Sequence, residues 1–294
     1  MRSTKRRILA SAVVATASGR GRSDAAAPSI EQALDGGPRP VMYVLEGGTT
    51  WIEDKGIFHE AYDDQGPITL EVRAFLVVHP DGVLLWDTGH SNELFDQPKE
   101  GAGTKGFRIT TGAPLAKQLA EIGLSPGDVD LLAFSHWHYD HTGNANLFAN
   151  ATVIVQRDEY EYAFGGLGRY GFGMNPDTYD ELANSDTDVL IGDRDVFDDG
   201  TVQILRVGWR TAGSQVLYGD FESTGPVLLS GDRYHFAEQS GQRRVPGFNV
   251  DADETKRDFE KVERFLRERP DTEPWITHDP IQMARTPLAP YVHG

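Results

Sequence analysis

The run Ser135-His136-Trp137-His138-Tyr139-Asp140-His141-Thr142-Gly143-Asn144 constrains this chain more than any other stretch. Three histidines and one aspartate fall within residues 136–141, directly after the apolar segment 131–134. Packing does not account for that density of ligand-type side chains. A short apolar run reads as a buried strand, so the cluster falls in a loop at a strand's C-terminal edge, where α/β sheets place their sites. His136 and His138, two apart in extended backbone, project to the same side and can address one ion. Asp140 and His141 follow a bend and can address a second. The chain contains no cysteine, which removes disulfides, cysteine nucleophiles, iron–sulfur clusters and thiolate zinc sites together. Any metal is therefore held by imidazole and carboxylate, a donor set that suits one or two Zn²⁺ ions, with Mn²⁺ or Fe²⁺ as alternatives at carboxylate-rich positions.

Around this loop, residues 38–294 read as one α/β domain of mixed strands and helices. Strands are expected at 41–45 and 70–78. The Asp81-Gly82 pair ahead of 83–86 predicts a hairpin, because both residues tolerate positive φ. A helix at 114–122, strands at 131–134 and 152–155 and a helix at 158–164 follow. Residues 165–188, rich in Gly, Tyr, Asn and Asp, read as a long irregular insertion. Tyr170, Phe172 and Met174 there, with Phe164 just ahead of it, would either wall an apolar pocket or face solvent. Strands at 202–207, 215–218 and 227–229 come next, then a helix at 253–267 with Phe259, Val262 and Leu266 on one face, and a last strand at 275–277 running into His278. His79 and His90 read as surface or rim histidines, His59 and His293 carry no motif, and Tyr160 and Tyr162 read as packing residues.

The chain has 28 basic and 45 acidic side chains, a net charge of −17, and a pI near 4.9. Such a surface has no general attraction for nucleic acid or anionic lipid, so neither is expected as a partner. A homodimer is left open. The first 37 residues stand apart from the domain. A basic start, the Arg6-Arg7 pair, an apolar stretch at 8–17 and the small residues Ala25-Ala26-Ala27 resemble a weak twin-arginine export signal. The apolar stretch is too short to span a bilayer. An unstructured extension is the even alternative, leaving location either cytoplasmic or exported.

Taken with Asp87-Thr88-Gly89 upstream, Ser230-Gly231-Asp232 downstream and Ile276-Thr277-His278-Asp279 near the end, the histidine motif resembles the metallo-β-lactamase-fold hydrolases over nearly all of residues 40–285. Within that superfamily, Ile154-Val-Gln-Arg-Asp-Glu-Tyr160, Gly231-Asp-Arg-Tyr-His-Phe236, Val245-Pro-Gly-Phe-Asn249 and Trp275-Ile-Thr-His-Asp279 echo the spacing of the N-acyl homoserine lactonase group. The resemblance implies a four-layer αββα sandwich with two metal ions at one edge. Position by position, it gives His136 and His138 to the first metal, Asp140, His141 and His278 to the second, and Asp232 to both. It makes Asp87 an acid that orients a metal-bound histidine, with a turn-capping role as the plain alternative. His235 stands where lactonases often carry a substrate-contacting tyrosine. The implied activity is opening of a lactone or small ester by metal-activated water, with Asp140, Asp232 and His235 as the catalytic set and His235 and Arg210 on the substrate. An organophosphate or aryl ester hydrolase is the alternative within the same chemistry.

One position departs from the family. The first metal's third histidine belongs to a Thr-Pro-Gly-His-Thr-Pro-Gly-Ser-like turn, whereas this chain reads Val207-Gly-Trp-Arg-Thr-Ala-Gly-Ser-Gln215 and places Arg210 there. A guanidinium stays protonated and offers only donors, so it cannot ligate and repels a nearby cation. No histidine lies between His141 and His235. Three arrangements stay open: a first site held by His136, His138 and Asp232 alone, one completed by His235, or a non-catalytic metal- or ligand-binding relative.

Overall fold

The computed structural model describes residues 30, 37, 39–94, 106–166, 168, 171–208, 210–222, 224–245, 252–289 and 292–293. The expected export signal, Tyr170 and residues 246–249 of the lactonase-like motif lie outside them. Among the described residues thirteen strands are seen: β1 (Val41–Ile52), β2 (Ile68–His79), β3 (Gly82–Trp86), β4 (Phe107–Thr110), β5 (Leu131–Ala133), β6 (Thr152–Gln156), β7 (Thr187–Leu190), β8 (Arg194–Asp195), β9 (Val202–Arg206), β10 (Gln215–Phe221), β11 (Gly225–Leu229), β12 (Glu273–Trp275) and β13 (Val292–His293). Helices α1 (Leu115–Glu121), α2 (Tyr139–Thr142), α3 (Arg157–Phe164), α4 (Ala237–Gln242), α5 (Ala252–Glu268) and α6 (Pro280–Met283) intervene. One sheet runs β13-β1-β2-β3-β5-β6-β7 with β4 on the far half of β1, and the other runs β12-β11-β10-β9-β8.

Strand alternation sorts the side chains into layers, since successive residues point to opposite faces. Met42, Val44, Phe75, Val77, Leu84 and Trp86 face inward and meet Val202, Ile204, Leu217, Phe221, Val227 and Leu229 of the second sheet. Their neighbours Val41, Tyr43, Leu45, Ala74, Leu76 and Val78 face outward, under Leu115 and Leu119 of α1 and under Trp137, Phe148 and Ala163. On the other outer face, Leu205, Val216, Tyr218 and Leu228 pack beneath Val262, Phe265 and Leu266 of α5. The order is helix, sheet, sheet, helix, the αββα sandwich expected from the motifs.

Several elements differ from the sequence expectation. β1 does not stop at Leu45 but continues to Ile52 through a bulge between Glu46 and Gly48. The bulge absorbs the Gly47-Gly48 pair, which reads as a breaker in isolation. The hairpin loop is Pro80-Asp81, because Gly82 already pairs with His79. The strand expected at 275–277 is β12, which ends at Trp275, so His278 lies in the following turn, and β13 rather than β12 is the last strand. The insertion at 165–188 is not a solvent-facing loop throughout: its short helical turns bury Tyr179 and Leu182 in the outer core. Phe259 leaves the α5 face expected to hold it with Val262 and packs with Tyr234 and Ile276 instead.

Candidate metal centre

Parallel pairing decides where the polar loops meet. β3 and β5 run parallel, as do β11 and β12, so the residues after each strand emerge at one edge of the sandwich. Asp87 follows β3, residues 135–138 follow β5, Asp140 and His141 lie on α2, Asp232 sits in the single helical turn after β11, and His278 comes three residues after β12. Close backbone approach is built in: a Cβ on Gly89 would lie 2.6 Å from the Gly47 Cα. That contact lets the turn after β3 press against the β1 bulge, and His90 N–H donates to the Gly47 carbonyl at 3.0 Å.

The structure brings His136, His138 and Asp232 into one group and Asp140, His141 and His278 into another, the candidate ligand atoms of each lying within 4.8 Å of one another. Asp232 is shared. Its Oδ1 lies 3.1 Å from His141 Nε2 and 2.7 Å from His278 Nε2. Its Oδ2 lies 3.5 Å from His136 Nε2, 3.3 Å from His235 Nε2 and accepts from Arg210 Nε at 3.0 Å. Asp140 stands 3.7 Å from His141 Nε2 and 3.6 Å from His278 Nε2.

The back of the second group is anchored. His141 Nδ1 donates to Asp87 Oδ2 at 2.9 Å, and His278 Nδ1 donates to the Glu71 carbonyl at 2.6 Å. Both rings therefore turn Nε2 inward, the outer-partner arrangement that fixes the tautomer of metal-binding histidines. Asp87 also caps the loop by accepting Ser135 N–H at 2.7 Å, so the orienting and turn-capping roles coexist.

Charge at the site is concentrated and buried. Burial pushes the Asp232 carboxyl up, but His136, His235, His278 and the His141 hydrogen bond outweigh it and hold the group well below the ordinary carboxylate range. For His141 and His278, burial works to lower the imidazole, yet the facing aspartates carry both above their ordinary value. Burial first, then Arg210 and the neighbouring imidazoles, drive His136 and His138 well below their ordinary value against the pull of Asp232, so they stay neutral. A negative pocket that draws protons to His141 and His278 draws a dication for the same reason. His136 Nε2 is buried without a hydrogen-bond partner, a bare ring nitrogen aimed at the shared carboxylate. The second group, with Asp232 Oδ1 as its fourth inward donor, thus fits a divalent ion of the type of Zn²⁺. The first offers two neutral imidazoles, but its share of Asp232 is already engaged by Arg210.

A cleft opens over the cluster, lined by Ile52, Ile57, Phe58, Leu70 and Phe107 on its apolar side. Arg210, His235, Asp140 and Asp232 line it on the polar side. Of the aromatic wall expected from the insertion, Phe172 lines this cleft, while Phe164 and Met174 pack onto the core instead. His235 lies 4.5 Å from the Phe58 ring and stacks parallel to His278 at 5.8 Å.

Other residues were not legible in advance. His90 and His79 are buried, not surface histidines. His90 bonds Thr50 at 2.9 Å and stacks on Tyr139, and His79 bonds Asp199 at 3.0 Å against Phe197; these partners come from distant sequence. Glu159 was not singled out, yet its two oxygens accept Trp137 N–H at 2.9 Å and Gly213 N–H at 2.7 Å. It clamps the histidine loop to the turn that carries Arg210. It falls within the 154–160 stretch that echoes the lactonase spacing, but nothing in that stretch gives the acidic residue a role of its own.

The profile of the Metallo-beta-lactamase superfamily matches residues 69–270. The N-acyl homoserine lactonase AttM of Azorhizobium caulinodans is 30% identical over 256 residues, covering 81% of this chain and 93% of that protein. The AttM lactonase of Rhizobium radiobacter is 31% identical over 265 residues, covering 85% and 97%. Among solved structures, an N-acyl homoserine lactone hydrolase with N-hexanoyl-L-homoserine at its catalytic metal centre superposes with a TM-score of 0.75 at 22% identity, covering 86% of this chain and 99% of that one. The layer order, the paired His/Asp groups at one sheet edge and these similarities lead to one conclusion: the chain belongs to the metallo-β-lactamase superfamily, in its N-acyl homoserine lactonase-like group.

Proposed function

We propose that the chain is a zinc-dependent hydrolase that opens the ring of an N-acyl homoserine lactone. The observation that carries this reading is Asp232, shared between two His/Asp groups at the floor of an apolar cleft. The similarity to the AttM lactonases supports the substrate class. A divalent ion held there supplies a Lewis acid for the ester carbonyl and lowers the pKa of water toward neutrality. The protein supplies the rest. The apolar wall of Ile52, Ile57, Phe58, Leu70 and Phe107 takes the acyl chain out of water, which orients the ring over the polar floor. The water oxygen adds to the carbonyl carbon, and Asp140, the more open of the two site carboxylates, takes up the proton released. As the ring C–O bond breaks, Asp140 returns that proton to the ring oxygen, which leaves as a hydroxyl, with His235 Nε2 placed in the cleft to hydrogen-bond it. Arg210, whose guanidinium carries only donors, faces the carbonyl oxygen where charge develops.

The test is a panel of N-hexanoyl homoserine lactone, a phenyl ester and a phosphotriester, each assayed with zinc-loaded protein. Lactone opening at a kcat/KM at least tenfold above the other two supports the proposal. Preference for the phosphotriester or the phenyl ester assigns the centre to the alternative chemistry, and silence on all three leaves a binding protein.

A further inference from the structure

Asp232 presents its two oxygens to different neighbours. Oδ1 belongs to His141 and His278, on the side of Asp140, whereas Oδ2 turns to His136 and accepts a hydrogen bond from Arg210 Nε at 3.0 Å. We infer that the Arg210 guanidinium takes the place of the first cation, so that the chain holds one divalent ion, at Asp140, His141, Asp232 and His278, beside a fixed organic cation. This rests on the reading of the site as a metal-dependent hydrolase and departs from it in the number of ions.

Three observations carry the inference. Arg210 is buried, and a buried guanidinium needs an anionic partner. Asp232 is that partner, and an ion bonding Oδ2 would face a permanent positive charge at hydrogen-bond range. The shared carboxylate also has no charge to spare: a dication at His141 and His278 and the Arg210 guanidinium already set three positive charges around Asp232, and a second dication would add two more in a buried site.

The turn that presents Arg210 is fixed as well. Val207 N–H donates to the Ser214 carbonyl at 2.9 Å, Thr211 N–H donates to Ser214 Oγ at 3.0 Å, Gly213 N–H is held by Glu159, and Gly208 N–H by Asp258. The guanidinium is thus delivered to Asp232 by a braced loop. His235 does not complete the first group instead. Its Nε2 reaches Asp232 Oδ2 at 3.3 Å, but it does not gather with His136 and His138 into the first group; its backbone N–H is tied to Gln239 and its ring is packed between Phe58 and His278.

The experiment is metal analysis of the full chain, saturated with Mn²⁺ or Zn²⁺ and dialysed, with electron paramagnetic resonance of the manganese form and circular dichroism to verify folding. Wild type should hold one ion and give the spectrum of an isolated Mn²⁺. Arg210→His should hold two and give an exchange-coupled pair. A folded wild type with two ions, or with a coupled spectrum, overturns the inference, and so does a folded Arg210→His that still holds one. Should that variant fail to fold, His136→Gln decides: metal affinity within about threefold of wild type is expected, and a drop of about 10- to 100-fold, the size expected for a group that matters to the ion, overturns the single-ion assignment. The two readings fail separately. One ion without lactone opening contradicts the function alone, and lactone opening with two ions contradicts the single-ion centre alone.

Discussion

Asp87 and His141 are joined at 2.9 Å between Oδ2 and Nδ1, with neither side chain exposed to solvent. The other Asp87 oxygen holds Ser135 N–H at 2.7 Å, so one carboxylate sets both the ring of a candidate ligand and the start of the loop carrying the others. Asp87 itself has a positive φ of 59°, a conformation asparagine tolerates better than most residues.

Asp87→Asn therefore keeps the backbone and removes the anion. It should fold and lose metal affinity by about 10- to 100-fold, the usual effect of removing an outer partner of a metal-bound histidine. Competition with a chromophoric chelator reads this directly. Unchanged affinity would show that His141 needs no anion behind it.

Asp140→Ala and His278→Ala remove donors from the group that fits an ion. Both should abolish turnover, by at least about 100-fold as expected for a group that holds or moves a proton in the reaction, and both should retain the wild-type circular dichroism spectrum. Retained activity in both would remove the second group from the chemistry.

Gly173 sits at φ +79°, and a Cβ there would lie 2.7 Å from the His138 ring. Its carbonyl also receives Tyr139 N–H at 2.8 Å. Gly173→Ala should displace His138 and the adjoining loop, lowering kcat/KM by about tenfold or more, since misplacement near an ångström commonly costs that much. A variant with wild-type kinetics would show that this approach is not required.

Glu159 tests the clamp between the histidine loop and the Arg210 turn. Burial raises its carboxyl above the ordinary 4.5, against hydrogen bonds from Gly213, Thr211 and Trp137 that lower it. A folded value above the unfolded one adds stability that is fully present below the unfolded value and is lost as pH rises through the folded value. Glu159→Gln must turn an amide N–H toward a backbone N–H, at a cost of about 1–3 kcal/mol. The stability gap to wild type should be larger well below pH 4.5 than well above it, measured by urea unfolding at both. A gap that widens with rising pH would contradict the assignment.

The sequence revealed the features whose signal is local. His136-x-His138-x-Asp140-His141 is compact enough to announce a site, and the alternation in 41–45, 70–78 and 83–86 announced strands. What stayed hidden depends on distant partners. β1 reads as broken at Gly47-Gly48 because only the register against β2 reveals a bulge. His90 looks like a rim residue until Gly47 and Thr50 close over it. Glu159 lies in the lactonase-like stretch 154–160, but its role stayed hidden because its two partners lie 22 and 54 residues away. The Arg210 departure was visible in the sequence, but its consequence needed the position of Asp232 Oδ2.

The most direct test of the account is lactone opening itself. Full-length protein loaded with zinc is mixed with N-hexanoyl homoserine lactone, and ring opening is followed by nuclear magnetic resonance beside the chelator-stripped protein and His278→Ala. The account predicts conversion to the hydroxy acid by the loaded wild type, with no conversion above the uncatalysed rate in the other two. No conversion by loaded wild type, or equal conversion by all three, would contradict it.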